Sequence, residues 1–130
     1  MVGLVATALS FASWRGDASV STPVQAGAAD LFMRKGCASC HNGPQTTARV
    51  PVGPSLVNVA EWAGERKPGV SAGDYVTESI INPPAFISPE FRQSGPTEMP
   101  SLELTETEVE ALVAYLLHSE PLPAIRTTVP

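Results

Sequence analysis

The stretch "RKGCASCHNG", residues 34–43, decides what this chain can fold around, because it holds both cysteines and one of the two histidines. Cys37 and Cys40 are separated by two residues, and His41 follows directly. Three kinds of chemistry use a pair of thiols at this spacing: a redox-active dithiol, half of a zinc site, and the covalent attachment of haem. The rest of the sequence distinguishes among them.

The available metal ligands argue against a zinc site, and the residues before Cys37 argue against a redox-active dithiol. Beside the two thiols, zinc needs two more nitrogen or sulfur ligands, and outside the motif only His118 is available. A thioredoxin-like dithiol follows a strand, whereas helix-favouring residues precede Cys37 here. The C-x-x-C-H pattern is typical of c-type haem, whose vinyl groups the thiols bind while the histidine binds iron. We therefore predict one haem c attached through Cys37 and Cys40, with His41 as an axial ligand of its iron.

The second axial ligand is predicted to be Met99. It lies in "PTEMPS", where flanking prolines stiffen a loop that holds the thioether at a fixed point. Met33, on the helix before the motif, is expected to pack in the core. His118 is expected near the end of the last helix, exposed, where a cation favours the helix dipole. The alternative is an open sixth site, as in a ligand-binding or peroxidase-like protein, although no obvious distal pair for cleaving peroxide is present.

Composition limits the classes of partner and of fold. The 130 residues suffice for one domain, and 13 prolines with only 16% charged residues favour short elements joined by stiff loops. The net charge of −5 argues against nucleic acid, whose backbone requires a basic surface. An acidic protein is better suited to a basic protein partner.

Helices are predicted on both sides of the motif. The first ends at Gly36, in a left-handed conformation, and a short one in "LVNVAEWAG" ends at Gly64. A third, in "GDYVTESIINPP", has Asp74 as N-cap and is stopped by Pro83 and Pro84. Residues 42–55 and 83–103 are predicted to be irregular.

The last helix has the clearest pattern. In "LTETEVEALVAYLLHSEP", Thr105 and Glu108 match a capping box, and Leu104 and Val109 are placed as its hydrophobic staple. Its apolar residues recur at helical spacing: Val109, Leu112, Val113, Leu116 and Leu117. The predicted fold class is all-α, with three to five short helices and long loops wrapping one haem.

The N-terminal part differs from the rest. Residues 1–14 carry no charge, but fourteen helical residues span only ~21 Å of a ~30 Å hydrocarbon core. We expect them to be a signal segment, an anchor, or part of an anchor that starts upstream. Residues 15–25 are predicted to be a linker, residues 26–120 the globular domain, and residues 121–130 a tail. The domain should lie on the periplasmic side, associated with the membrane.

Residues 26–120 resemble the class I c-type cytochromes. The order of features is the same: a helix, "CASCH", "GPSL" at 53–56, "EMP" at 98–100, and an amphipathic C-terminal helix. The resemblance implies that the carbonyl of Pro54 accepts a hydrogen bond from the outer nitrogen of His41, which fixes its tautomer. It also implies that Phe32 and Tyr115 meet where the first and last helices cross.

Further features of the resemblance concern the surroundings of the haem. Trp62 and Arg66 resemble residues that approach the haem propionates, although Trp62 is also a candidate core residue and Arg66 a solvated one. The haem edge at the two cysteines is the usual exit for the electron in this fold. Apolar residues expected to wrap the macrocycle are Leu56, Ile80, Ile81, Leu102 and Leu112.

Within that family, "YVTESIINPPAFISPEF" followed by "MPSL" resembles the monohaem cytochrome subunits or domains of respiratory membrane complexes. These include the small cytochrome subunit of alternative complex III and cytochrome domains attached to haem-copper oxidases. The implied function is electron transfer to redox protein partners within a respiratory or photosynthetic membrane complex, without bond-making chemistry on a substrate. A free-standing periplasmic carrier is the alternative.

Overall fold

The described part of the chain contains four α-helices. The computed structural model describes residues 23–48, 52–90 and 99–118. The helices are α1 (Pro23–Arg34), α2 (Val59–Arg66), α3 (Ala72–Ile81) and α4 (Glu106–His118), with short 3-10 turns at Cys37–Ser39 and Pro83–Ala85. Within these ranges no β-strand forms beyond an isolated bridge between Gly43 and Thr46. The prediction of an all-α fold is confirmed.

Helix α1 leads into the cysteine motif through Gly36. This glycine has a φ of 84°, the left-handed region that a residue without a β-carbon adopts at little cost. The predicted role of Gly36 in ending the helix is confirmed. The helix begins at Pro23, three residues before the predicted start of the globular domain.

The buried face of α1 places Met33 outside the core. Ala28, Leu31 and Phe32 are buried at the i, i+3, i+4 spacing of one helix face. Met33 is one residue beyond Phe32, about 100° further round the helix, and is 55% exposed. The prediction that Met33 packs in the core is therefore wrong.

Helices α1 and α4 meet through an aromatic pair. The ring centroids of Phe32 and Tyr115 lie 5.8 Å apart with an interplanar angle of 53°. Both side chains are buried, and Leu112 of α4 is buried in the same cluster. Tilted aromatic pairs of this kind contribute about 0.5–1.5 kcal/mol beyond the burial of their area. The meeting of these two rings is what the resemblance implied.

The N-terminus of α4 has the predicted capping box. The backbone N–H of Glu108 donates to Thr105 Oγ1 at 3.2 Å, and the backbone N–H of Thr105 donates to Glu108 Oε2 at 2.9 Å. Leu104 packs against the core and Val109 is buried, which agrees with their predicted places as the hydrophobic staple of this cap. Two backbone donors of the first turn are thus satisfied reciprocally.

Helix α2 runs past its predicted end. It continues through Gly64 to Arg66, because the backbone first becomes extended at Lys67 (φ −130°, ψ 109°), the residue before Pro68. The proline ring excludes a helical conformation for the residue that precedes it. Sequence reasoning took the glycine as the stop, whereas the proline supplies it.

Helix α3 begins with a different cap from the predicted one. Ser71 is the N-cap, and its Oγ accepts a hydrogen bond from the backbone N–H of Asp74 at 3.1 Å. Asp74 lies three residues further on, where its carboxylate accepts a bond from the Ser71 hydroxyl at 2.6 Å. The assignment of Asp74 as N-cap is therefore wrong. The helix ends at Ile81, just before Pro83, as predicted.

In the part of the chain that the structure describes, no helix has the length and apolar character needed to cross a membrane. The segments predicted as anchor or signal (1–14) and as C-terminal tail (121–130) lie outside the described residues. So does most of the predicted linker.

Candidate haem site

One cavity brings the predicted site residues together. Cys37, Cys40, His41 and Met99 all line a cavity of about 580 Å³, a size within the usual range for a cofactor site. Three of them come from the turn that follows α1, whereas Met99 comes from the segment that leads into α4. The sequence separates these two groups, and the packing of α1 against α4 joins them.

The remaining wall of the cavity is mostly apolar. Leu56, Ile80, Leu102 and Leu112 line it, as expected for residues that wrap a macrocycle. Ile81 does not line it and is 57% exposed, so its predicted place is wrong. The reason is geometric: Ile81 lies about 100° round α3 from the buried Ile80 and points away from the cavity.

The imidazole of His41 is held in one tautomer. Its Nδ1 lies 2.8 Å from the carbonyl oxygen of Pro54. Because a carbonyl oxygen only accepts hydrogen bonds, Nδ1 carries the proton and Nε2 keeps its lone pair. Metal-binding histidines are typically oriented in this way by a carbonyl or carboxylate partner. The contact that the resemblance implied for Pro54 is present.

Gly53 allows this arrangement, and sequence reasoning missed it. A β-carbon at Gly53 would lie 2.4 Å from Cε1 and 2.7 Å from Nδ1 of His41, so no other residue fits without a shift. The loop is also bonded to the motif, since the Gly53 N–H donates to the Cys40 carbonyl at 3.1 Å. Gly53 stands first in "GPSL", but a glycine beside a proline indicates a turn and not a close approach to the imidazole.

Cys37 and Cys40 form no disulfide with each other, and both line the cavity. Burial raises the pKa of the Cys37 thiol, an effect that a hydrogen bond to its own backbone only partly opposes. Thiol oxidoreductases do the reverse and lower the pKa of their attacking cysteine to obtain a thiolate. The environment of Cys37 therefore does not favour the dithiol interpretation.

A polar network lies beside the cavity. Trp62 lines the cavity, and the guanidinium carbon of Arg66 lies 4.5 Å from its ring centroid. Arg66 Nη1 donates to Ser88 Oγ at 2.7 Å and to the carboxylate of Glu90 at 2.6 Å. Hydrogen bonds from Ser88, from the backbone of Glu90 itself and from Arg66 lower the pKa of Glu90 to about 2. Of these four residues, only Trp62 and Ser88 line the cavity.

Ser88 and Glu90 were missed by sequence reasoning, since no spacing pattern links them to Arg66, which lies 24 residues before Glu90. The expected approach of Arg66 to haem propionates stays a prediction. In the structure, its guanidinium is engaged by Ser88 and Glu90.

The residues present fit haem c. Two thiols, an imidazole nitrogen with a free lone pair and a thioether side chain face one largely apolar cavity. A family model described as "Cytochrome c" matches residues 25–120. The chain belongs to the cytochrome c family. No curated protein and no solved structure matches it.

Membership of the cytochrome c family establishes the cofactor and the general activity. Cytochromes c carry covalently attached haem c, and Cys37 and Cys40 stand at the spacing that this attachment requires. The activity of the family is haem-based electron transfer, not catalysis on a substrate, and its domains usually work outside the cytoplasm.

Proposed function

We propose that this cytochrome c carries single electrons through a haem iron ligated by His41 and Met99. We further propose that it is a subunit of a membrane-bound respiratory or photosynthetic complex, either a quinol-oxidising complex or an oxidase. The observation that carries the ligation is that His41, with Nε2 available, and Met99 line the same cavity. When bound, the haem supplies an iron that accepts and releases one electron.

The protein residues act by holding groups in place. The Pro54 carbonyl keeps the proton of His41 on Nδ1, and Gly53 leaves room for the ring against the backbone. A thioether ligand such as Met99 favours the reduced iron and raises the potential. The apolar wall formed by residues such as Leu56, Leu102 and Leu112 acts in the same direction, because it disfavours the additional charge of the oxidised state.

Two sequence features support the assignment to a membrane complex. The segment "YVTESIINPPAFISPEF" with "MPSL" resembles cytochrome subunits such as that of alternative complex III, and residues 1–14 are uncharged and apolar. The net charge of −5 also suits docking to a basic partner. The test is isolation from native membranes with lipid retained. Co-purification with other redox subunits supports the proposal, and recovery as a lone soluble cytochrome contradicts it.

Substitution of Met99 tests the ligation. In the oxidised wild-type protein, we expect the long-wavelength charge-transfer band of a methionine-ligated haem. Met99→Ala should abolish this band and lower the reduction potential. Met33→Ala is the matched control, because Met33 is 55% exposed on α1 and does not line the cavity. If the oxidised wild-type protein lacks this band and binds exogenous ligands directly, the sixth site of its iron is open.

A further inference from the structure

Asn42 holds the loop that orients His41 at two points. Its backbone carbonyl accepts the N–H of Leu56 at 2.7 Å, and its side-chain Oδ1 accepts the N–H of Ala48 at 2.8 Å. Because a backbone N–H only donates, the side-chain atom that faces Ala48 is the amide oxygen. Ala48 is 8% exposed, so its N–H has little access to water as an alternative acceptor. The residue directly after His41 is therefore bonded to both arms of the loop.

The returning arm of this loop carries the two residues that contact the imidazole. The Gly53 N–H donates to the Cys40 carbonyl at 3.1 Å, and the Pro54 carbonyl lies 2.8 Å from Nδ1 of His41. The carbonyl of Asn42 accepts the third bond of this arm. The arm is thus bonded to three consecutive residues of the chain, and the imidazole belongs to the middle one.

Of the acceptors that hold the two arms, only Oδ1 of Asn42 belongs to a side chain. Without this atom, residues 43–52 separate Asn42 from the next residue bonded to the turn, which is Gly53. With Ala48 bonded to Asn42, that stretch is reduced to residues 49–52. A shorter stretch between fixed points loses less conformational entropy when its ends are held in place. The bond to Ala48 therefore favours the arrangement in which the returning arm contacts the imidazole.

We propose that the side chain of Asn42 is a positioning residue for the haem ligand His41. By holding the loop at Ala48, it keeps the Pro54 carbonyl against Nδ1, so that the proton stays on this nitrogen and Nε2 stays free to bind iron. This inference rests on the proposed ligation by His41. It goes beyond that ligation in naming a side chain outside the C-x-x-C-H motif that holds the imidazole in its orientation.

The test compares three variants of the haem-loaded protein: Asn42→Ala, Asn42→Asp and Thr47→Ala. Asn42→Ala removes the acceptor of the Ala48 N–H, whereas Asn42→Asp keeps an oxygen at the same position. Thr47→Ala changes an exposed side chain of the same loop and is the matched control. The readout is the rate at which the Nδ1 proton of His41 exchanges with D₂O in the reduced protein, followed by NMR. Amide exchange of α3 in the same sample is the internal reference for global stability.

We expect Asn42→Ala to raise the exchange rate of the Nδ1 proton about two- to tenfold relative to α3, the effect of losing one neutral hydrogen bond. Asn42→Asp should restore most of the slow exchange, and Thr47→Ala should leave it unchanged. A wild-type rate in Asn42→Ala would overturn the inference. A rise that is equal for the Nδ1 proton and for the amides of α3 would overturn it as well, because it shows a general loss of stability.

The two proposals fail in different ways. The ring protons of an axial histidine are strongly displaced upfield in the NMR spectrum by the ring current of the haem. If the His41 protons of the reduced wild-type protein lack this displacement, the proposed ligation fails, and with it the role of Asn42. If the displacement is present and Asn42→Ala exchanges its Nδ1 proton at the wild-type rate, the ligation stands and only the inference on Asn42 fails.

Discussion

The ring of His41 lies directly against the backbone of Gly53, so closely that a β-carbon on Gly53 would be 2.4 Å from the Cε1 atom of the imidazole. The same loop supplies the Pro54 carbonyl, 2.8 Å from Nδ1. Residues 53 and 54 therefore determine both where the ring lies and which nitrogen keeps its lone pair. The histidine that follows the cysteines depends on this loop for its orientation.

Gly53→Ala should disturb the His41 site. The methyl group must displace the ring or the loop, and such overpacking typically costs about 1–3 kcal/mol. We expect a lower free energy of unfolding of the haem-loaded protein in urea and a shifted reduction potential. Gly27→Ala is the control: a β-carbon there meets nothing within 4 Å, and alanine favours the helix. Equal stability and equal potentials in the two variants would contradict the role of Gly53.

Glu90 should contribute to stability in a defined pH range. Hydrogen bonds from Ser88, its own backbone and Arg66 lower its pKa from 4.5 to about 2. A carboxylate with a lowered pKa stabilises the fold above its unfolded-state pKa, and this stabilisation is lost as the pH falls from about 4.5 towards about 2. Because the Glu90 side chain is 42% exposed, solvent screening reduces the effect.

The measurement is the urea midpoint of wild type and Glu90→Gln as a function of pH. We expect a difference near pH 7 that shrinks as the pH falls through this range. Glu61→Gln, which removes an exposed carboxylate on α2, is the control and should run parallel to wild type. A difference between wild type and Glu90→Gln that stays constant down to pH 2 would contradict the assignment.

Thr105→Ala should weaken the start of α4. It removes the Oγ1 atom that accepts the backbone N–H of Glu108, and loss of such a cap typically costs about 1 kcal/mol. Urea unfolding should show this loss. Thr107→Ala, two residues further along and exposed, should change the stability much less. If the two variants are equally stable, the capping box contributes nothing measurable.

Phe32→Ala should be the most destabilising of these changes. The side chain is 1% exposed and its ring packs on Tyr115, so truncation leaves a cavity where α1 and α4 meet. Phenylalanine-to-alanine substitutions in cores cost about 3–5 kcal/mol. The adjacent Met33→Ala should change the free energy of unfolding by less than about 0.5 kcal/mol, because Met33 is exposed. Similar losses in both would place Phe32 outside the core.

Patterns confined to a few neighbouring residues were readable from the sequence. The capping box of Thr105 and Glu108 spans one helical turn, and Gly36 acts on its own backbone, so both were predicted correctly. The same holds for the C-x-x-C-H motif, whose three groups are adjacent in the chain. The assignment of Asp74 as N-cap was wrong because Ser71, three residues before it, also suits that position.

The sequence by itself determined the helical fold class and the cofactor, because helical periodicity and the attachment motif are local. Tertiary structure alone decided those contacts between distant residues that neither a local pattern nor the family resemblance implied. The His41 ring meets Gly53, Arg66 meets Glu90, and Lys35 meets Glu108, 73 residues away. These contacts depend on how loops and helices from distant parts of the sequence pack around one cavity. No short pattern encodes that arrangement, because each contact requires the rest of the fold to bring its two partners together.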